Sequence, residues 1–184
     1  MPATRKQKPK SSKDDWAQST ESRLGKQKIA AIITDLGGVL INVDHSNMYA
    51  GFFRYSSLSA EEIAKYFDPR VLKGLEIKLG TGKLPPHRFY ELMCQKLKLK
   101  ELSFEEFERI YSNLFSAKKD TLKLFRALSK KYAIAMLSNT NGIHYNYWLK
   151  VLGKNVNMFK ELVLSFQVGL MKPDSRIFLE AAKR

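Results

Sequence analysis

Cysteine, histidine and long apolar stretches are all scarce in this 184-residue sequence. Its single cysteine, Cys94, cannot form a disulfide within the chain, so the composition does not favour an oxidising compartment. No apolar run reaches the roughly 18 residues of a membrane-spanning helix. The charged N-terminus is not followed by the apolar segment of a secretory signal. We therefore expect a cytoplasmic protein with no membrane partner.

Acidic residues are also few, because 18 Asp and Glu stand against 32 Lys and Arg and give a net charge of +14. This excess attracts anions such as phosphorylated metabolites or nucleic acid without distinguishing between them. Residues 1–27 form a basic polar tail that we predict to be disordered. Trp16 is the only aromatic residue in the tail, which lacks the repeated aromatics of a base-stacking surface. Nucleic acid is therefore only a secondary candidate partner.

Apolar residues make up 44% of the chain, which is enough for a buried core. Residues 29–33 (IAAII) are a continuous apolar run, typical of a strand that is buried on both faces of a parallel sheet. Similar strands are predicted at 132–137, ending at Ser138, and at 162–164. Lys172 follows the third of these strands.

Between the first two strands, residues 45–118 show helical periodicity instead. Two S-x-x-E patterns, at Ser59 and Ser103, each predict the start of a helix. The sequence thus predicts an α/β fold: a Rossmann-like parallel sheet with an inserted α-helical cap subdomain. The core comprises residues 28–44 and 119–184, and the cap comprises residues 45–118.

Polar side chains are expected to converge where the parallel strands end, because ligands of open α/β sheets bind at the carboxyl edge. Asp35 and Ser138 each end a predicted strand, and Lys172 follows the third. A carboxylate can attack phosphorus, while a hydroxyl and an ammonium group hold the phosphoryl oxygens. Since two anions must then approach each other, a hard cation such as Mg²⁺ is expected.

Three segments in order sharpen this prediction. Residues 33–40 (ITDLGGVL), 136–141 (MLSNTN) and 169–174 (GLMKPD) resemble the first, second and third motifs of the haloacid dehalogenase superfamily. The first is similar to the DLG-[GN]-V branch, which is associated with sugar-phosphate phosphatases. The resemblance covers about residues 29–184 and implies a cap that closes over the site. It implies catalytic roles for Asp35 as nucleophile, Ser138 and Lys172, substrate binding by Asn139 and Gly38, and Mg²⁺ binding by Asp35 and Gly37.

The chain departs from the family pattern in two places. Family phosphatases usually carry a second Asp two residues after the nucleophile as general acid/base, and here that position is Gly37. Asp44 is the neighbouring candidate to replace it, although a role in ending the loop into the cap is favoured. The fourth, acidic motif has no counterpart before Arg184. We therefore expect an incomplete gene product whose core folds poorly and binds Mg²⁺ weakly.

Two other patterns are interpreted as structural. Residues 80–83 (GTGK) lack the Ser or Thr that a phosphate-binding loop requires, so we predict a turn between cap helices. His45, His87 and His144 lack metal-ligand spacing and are interpreted as ordinary surface or cap residues. His144 is a minor candidate for substrate contact, because it follows the second motif.

The leading hypothesis is a Mg²⁺-dependent phosphatase of small phosphorylated metabolites, sugar phosphates above all, with an aspartyl-phosphate on Asp35. A 2-haloacid dehalogenase is the alternative within the same fold, but such enzymes typically have an aromatic residue where this chain has Gly37. A catalytically degenerate protein that acts by binding is the alternative outside enzymology. The missing acid at Gly37 favours it, while the intact Asp35, Ser138 and Lys172 oppose it.

Overall fold

The computed structural model describes residues 29–184, so the tail predicted to be disordered over residues 1–27 lies outside the described residues. The strands are β1 Ala31–Thr34, β2 Ile41–Val43, β3 Phe115–Ala117, β4 Ala133–Ser138 and β5 Glu161–Leu164. The α-helices are α1 Ser46–Phe53, α2 Ala60–Tyr66, α3 Pro69–Gly80, α4 Pro86–Lys96, α5 Phe104–Tyr111, α6 Lys119–Leu128, α7 Gly142–Leu152, α8 Ser165–Val168 and α9 Ser175–Lys183, with a 3-10 helix at Gly153–Met158.

Three parallel strands form the main sheet in the order β1-β4-β5. Thr34 pairs with Met136, and Ser138 pairs with Leu164, so the carboxyl ends of all three strands lie at one edge. The predicted α/β fold with a parallel sheet is confirmed. The side chains that follow β1 and β4 are thereby brought to the same place.

Helices cover both faces of this sheet. Consecutive residues of β4 point to opposite faces, and each face packs against a different helix. Met136 packs in one apolar cluster with Trp148 of α7, whereas Leu137 packs in another with Ile177 of α9. The edge strand β1 is less enclosed than its apolar sequence predicted, and Ile33 remains 45% exposed. The prediction of burial on both faces is wrong for this strand, because β4 is its only strand partner among the described residues.

A second, two-stranded sheet carries the chain into and out of the five helices α1 to α5. Strands β2 and β3 pair antiparallel, with Ile41 opposite Ala117 and Val43 opposite Phe115. Neither strand was predicted, since three residues are too few to show an alternating pattern. Strand β2 ends just before the predicted cap of residues 45–118, and β3 lies within the last residues of that range.

Helices α1 to α5 enclose an apolar core of their own, in which Phe52, Phe89 and Phe107 are fully buried. The two predicted helix starts are present. Ser59 forms the complete capping box with Glu62, and the Ser103 side chain accepts a hydrogen bond from the backbone N–H of the third helical residue. In the part of the chain that the structure describes, no helix is long and apolar enough to cross a membrane.

Candidate active site

The three residues predicted to act together do meet at the carboxyl edge of the main sheet. Asp35 follows β1, Ser138 is the last residue of the neighbouring β4, and Lys172 lies between β5 and α9. Parallel pairing of β1 with β4, with Thr34 opposite Met136, brings Asp35 and Ser138 to the same edge of the sheet. A loop after β5 returns Lys172 to the same edge.

Lys172 forms an ion pair with Asp35, and the distance from its Nζ to Asp35 Oδ1 is 2.8 Å. The same ammonium group donates to the carbonyl of Leu137, 3.1 Å away, so it bridges β1 and β4. The backbone N–H of Leu36 also donates to Asp35 Oδ1, at 2.7 Å. The carboxylate is therefore oriented by two donors, while its side chain stays 43% exposed and can meet a ligand.

Asn139 fixes the segment that carries Lys172. Its Oδ1 accepts a hydrogen bond from the Lys172 backbone N–H at 2.8 Å, and its Nδ2 donates to the Lys172 carbonyl at 2.9 Å. A side-chain amide has two N–H donors, so one of them stays available for a ligand. Asn139 thus connects the second and third motifs directly.

Ser138 is only 3% exposed, yet its hydroxyl has no hydrogen-bond partner among residues 29–184. It lines a cavity of about 180 Å³ together with Gly37, His45 and Asn139. A hydroxyl that faces a cavity without a protein partner can donate to a bound oxygen.

The loop after Asp35 is held by its backbone. Gly38 has a φ of 74°, which glycine adopts freely, and its N–H donates to the Ile41 carbonyl at 2.8 Å. Its carbonyl accepts a hydrogen bond from Lys118 Nζ at 2.7 Å. This contact of Lys118 could not be predicted from the sequence, since nothing distinguishes Lys118 among 32 basic residues.

Asp44, the candidate replacement for the missing acid, is committed to local structure. Its Oδ1 accepts a hydrogen bond from the Ser46 N–H, 2.9 Å away, at the start of α1. This bond holds the pKa of the Asp44 carboxyl below its ordinary value, so the group stays ionised. It is better suited to ending the loop than to donating a proton.

A second cavity of about 160 Å³ adjoins the first and shares Asn139, Thr140 and His144 with it. Its other lining residues come from α3, α5 and the two motif loops, and they are Glu76, Gly80, Tyr111, Asn141 and Met171. Helices α3 and α5 thus face the loops that carry the second and third motifs.

His144 lines both cavities and is more enclosed than the surface interpretation predicted. Its Nε2 lies 3.2 Å from the Tyr111 carbonyl, and its Nδ1 lies 3.2 Å from Asn141 Nδ2. Burial lowers the pKa of His144 to about 4, so the ring is neutral near pH 7. A histidine three residues after the second motif was the available signal, but it did not reveal that the ring is enclosed by the protein.

A metal ion has a restricted choice of ligands here. Among residues 29–184 there is no group of three or more His, Cys, Asp or Glu side chains that could hold one. The exposed Asp35 carboxylate and the Gly37 backbone carbonyl are the candidate protein ligands. Mg²⁺ commonly binds through one or two carboxylates and completes its octahedron with water and substrate oxygens. The residues present fit such an ion.

Comparisons with known proteins give the same class as the fold and the motifs. No protein-family profile matches the chain. The D-ribitol-5-phosphate phosphatase of Bacteroides thetaiotaomicron is 29% identical over 158 residues, which is 82% of this chain and 74% of that protein. The relative and the similar structures support a hydrolase of the haloacid dehalogenase-like superfamily.

Two solved structures show how far the likeness extends. A haloacid dehalogenase family enzyme from Bacteroides thetaiotaomicron, in complex with magnesium and inorganic phosphate, matches with a TM-score of 0.73 and 25% identity. The match covers 85% of this chain and 78% of that one. A family hydrolase from Porphyromonas gingivalis has a TM-score of 0.68 at 24% identity and covers 83% of this chain and 74% of its own. The latter likeness concerns the fold.

Proposed function

We propose that this chain is a Mg²⁺-dependent phosphatase of small phosphorylated metabolites, polyol and sugar phosphates in particular. The observation that carries the proposal is the 2.8 Å pair between Asp35 and Lys172, set beside the unpartnered hydroxyl of Ser138. A phosphatase of D-ribitol 5-phosphate among the relatives supports the substrate class, and the magnesium and phosphate bound to a similar structure support the cofactor.

In the first step, a carboxylate oxygen of Asp35 attacks phosphorus, and the bond from phosphorus to the ester oxygen breaks. The product is an aspartyl-phosphate, and the alcohol leaves with the electron pair and takes up a proton. Lys172 and Ser138 hold the phosphoryl oxygens, whose charge spreads in the transition state. Gly37 has no side chain to supply the proton, so the alcohol must obtain it from water or another group.

In the second step, water attacks phosphorus, and the bond to the Asp35 oxygen breaks. Inorganic phosphate leaves, and the carboxylate is restored to its place against Lys172. A Mg²⁺ ion held by Asp35 and the Gly37 carbonyl supplies positive charge that offsets the repulsion between the carboxylate and the phosphate. Asn139 keeps Lys172 in position through both steps, because its side-chain amide bonds both the N–H and the carbonyl of Lys172.

The size of the cavities lined by the motif loops suits a small substrate. The two adjoining cavities measure about 180 and 160 Å³. Drug-sized ligands usually occupy pockets of roughly 300 to 1,000 Å³, so a metabolite of a few carbon atoms with its phosphate is the natural match.

The test measures phosphate release by the full chain from D-ribitol 5-phosphate and from p-nitrophenyl phosphate. Activity should require Mg²⁺ and disappear with a chelator. Asp35→Asn should lower kcat by at least about 10³-fold, because an amide cannot form the acyl-phosphate. Asp120→Asn, an exposed carboxylate in the first turn of α6, is the matched control and should leave kcat unchanged.

Two outcomes would replace this proposal. Halide release from a 2-haloacid without phosphatase activity would establish the dehalogenase alternative. Absence of both activities in a folded chain, together with binding of inorganic phosphate, would establish the degenerate binding protein. Full activity of the Asp35→Asn variant would exclude Asp35 as the nucleophile.

A further inference from the structure

We infer that Glu76, on the cap helix α3, selects the substrate by accepting hydrogen bonds from hydroxyl groups on its carbon chain. This inference rests on the proposed phosphatase function and names the group that recognises the part of the substrate away from the phosphate. Glu76 lines the cavity of about 160 Å³ beside the second-motif loop.

Glu76 lacks the partners that a partly enclosed carboxylate ordinarily has. Its side chain is only partly exposed, and it makes no hydrogen bond or ion pair with the other side chains that the structure describes. Burial raises the pKa of the Glu76 carboxyl above its ordinary value. An ionised carboxylate that lines a cavity can accept hydrogen bonds from a ligand bound there.

Two close contacts hold α3 against the catalytic loops. A Cβ on Gly80 would lie 3.2 Å from Met171 Sδ and 3.7 Å from the Thr140 carbonyl, so the end of the helix packs closely against both motif loops. Gly82, with a φ of 70°, lies against the carbonyl of Phe166. Glu76 is one helical turn before Gly80 and shares its face of α3. The packing of α3 thus places Glu76 in the cavity that the second-motif loop also lines.

The surroundings of Glu76 favour neutral hydroxyl donors over a cationic group. Tyr111 and Tyr49 lie close enough that the charge of Glu76, after burial, raises the pKa of each. Asn141, which also lines the cavity, already directs its Nδ2 toward His144. A chain with a net charge of +14, and with Lys172 nearby, repels cations and attracts phosphate esters. Hydroxyl groups supply donors to Glu76 without adding positive charge.

The test compares kcat/KM for D-ribitol 5-phosphate and n-pentyl phosphate in the full chain. These esters have the same five-carbon length and a similar leaving group, but only the first carries further hydroxyls. Glu76→Ala should lower kcat/KM for ribitol phosphate by roughly 10- to 100-fold and change that for pentyl phosphate by less than about 3-fold. Glu76→Gln keeps one acceptor oxygen, so its kcat/KM for ribitol phosphate should lie between those of Glu76→Ala and the unaltered chain. The control is Glu61→Ala, an exposed carboxylate on α2, which should change neither substrate.

Four results would overturn the inference. Equal losses on both esters would indicate a structural role, as would a lower melting temperature of Glu76→Ala, since removal of an unpaired carboxylate should not destabilise the fold. No loss on ribitol phosphate would exclude Glu76 from recognition. A larger loss on aminopentyl phosphate than on ribitol phosphate would show that Glu76 recognises an ammonium group. The Asp35→Asn variant separates these results from failure of the proposed function, because it tests phosphate chemistry on every ester.

Discussion

The side-chain amide of Asn139 and the backbone of Lys172 exchange two hydrogen bonds, of 2.8 and 2.9 Å. The loops that follow β4 and β5 are joined by this pair. Lys172 in turn forms an ion pair with Asp35, which follows β1. The Asn139 amide therefore links, directly or through Lys172, the segments that follow all three strands. The geometry of the carboxylate depends on a residue that does not need to touch phosphorus.

Asn139→Ala should therefore impair catalysis through Lys172. Loss of both bonds frees the lysine backbone, and we expect kcat to fall by about 10-fold or more while the Mg²⁺ requirement persists. Urea unfolding should show a loss of about 1 kcal/mol, since each net hydrogen bond contributes roughly 0.5–1.5 kcal/mol. Asn146→Ala, an exposed amide on α7, is the control. An unchanged kcat in Asn139→Ala would contradict the positioning role.

Lys172→Met tests the charge itself. Methionine has a comparable length but no ammonium group, so Asp35 loses its partner and the phosphoryl oxygens lose a cation. We expect a decrease in kcat of about 10² to 10³-fold on both aryl and alkyl phosphates. Lys160→Met, an exposed lysine just before β5, should retain activity. Equal activities of the two variants would show that the charge of Lys172 does not contribute to catalysis.

Long sequence patterns predicted their elements, whereas short ones did not. The apolar runs before Asp35 and Ser138 predicted the parallel sheet, because buried strands leave a continuous pattern. The three-residue strands β2 and β3 left none. Ser138 could be placed because its strand neighbours Asp35 in a parallel sheet.

Other features of the site arise only from tertiary contacts. Glu76 belongs to a charged, amphipathic helix, and no local pattern shows that Gly80 packs on Met171 and so brings this helix to the catalytic loops. Lys118 binds the Gly38 carbonyl across a separation of 80 residues in sequence. Such contacts depend on how the insertion folds back onto the core, which periodicity does not describe.

Gly37→Asp should increase activity on poor leaving groups. A Cβ at this position would lie 3.4 Å from Val43 Cγ2, an ordinary contact, so a side chain fits beside the carboxylate. A general acid contributes roughly 10² to 10⁴-fold, and we expect a gain of at least about 10-fold on an alkyl phosphate, less on p-nitrophenyl phosphate. Gly37→Asn has the same size without the acid and should give no gain. An equal gain from Asn would show that proton transfer is not the limitation.

Ser165→Ala should destabilise the second-motif loop. The fully buried Ser165 hydroxyl donates to the Thr140 carbonyl at 2.8 Å and accepts from the Thr140 N–H at 2.9 Å. Removing it leaves two buried backbone groups unpaired, at a cost of about 2–3 kcal/mol in the free energy of unfolding. Ser129→Ala, at an exposed helix end, should cost less than about 1 kcal/mol. Urea unfolding of the two variants measures the difference, and similar losses would contradict this assignment.

His144 should make the stability of the fold depend on pH in the mildly acidic range. Burial lowers its pKa from 6.5 to about 4, so between these values the unfolded chain binds a proton that the folded chain does not. The contribution of the neutral ring is complete above pH 6.5 and is lost as the pH falls toward 4. We expect the free energy of unfolding to fall by about 1–2 kcal/mol between pH 7.5 and pH 5 on account of this group. His144→Gln, which cannot titrate, should flatten the profile. An identical slope in His144→Gln and the unaltered chain would show that folding does not lower the pKa of this ring.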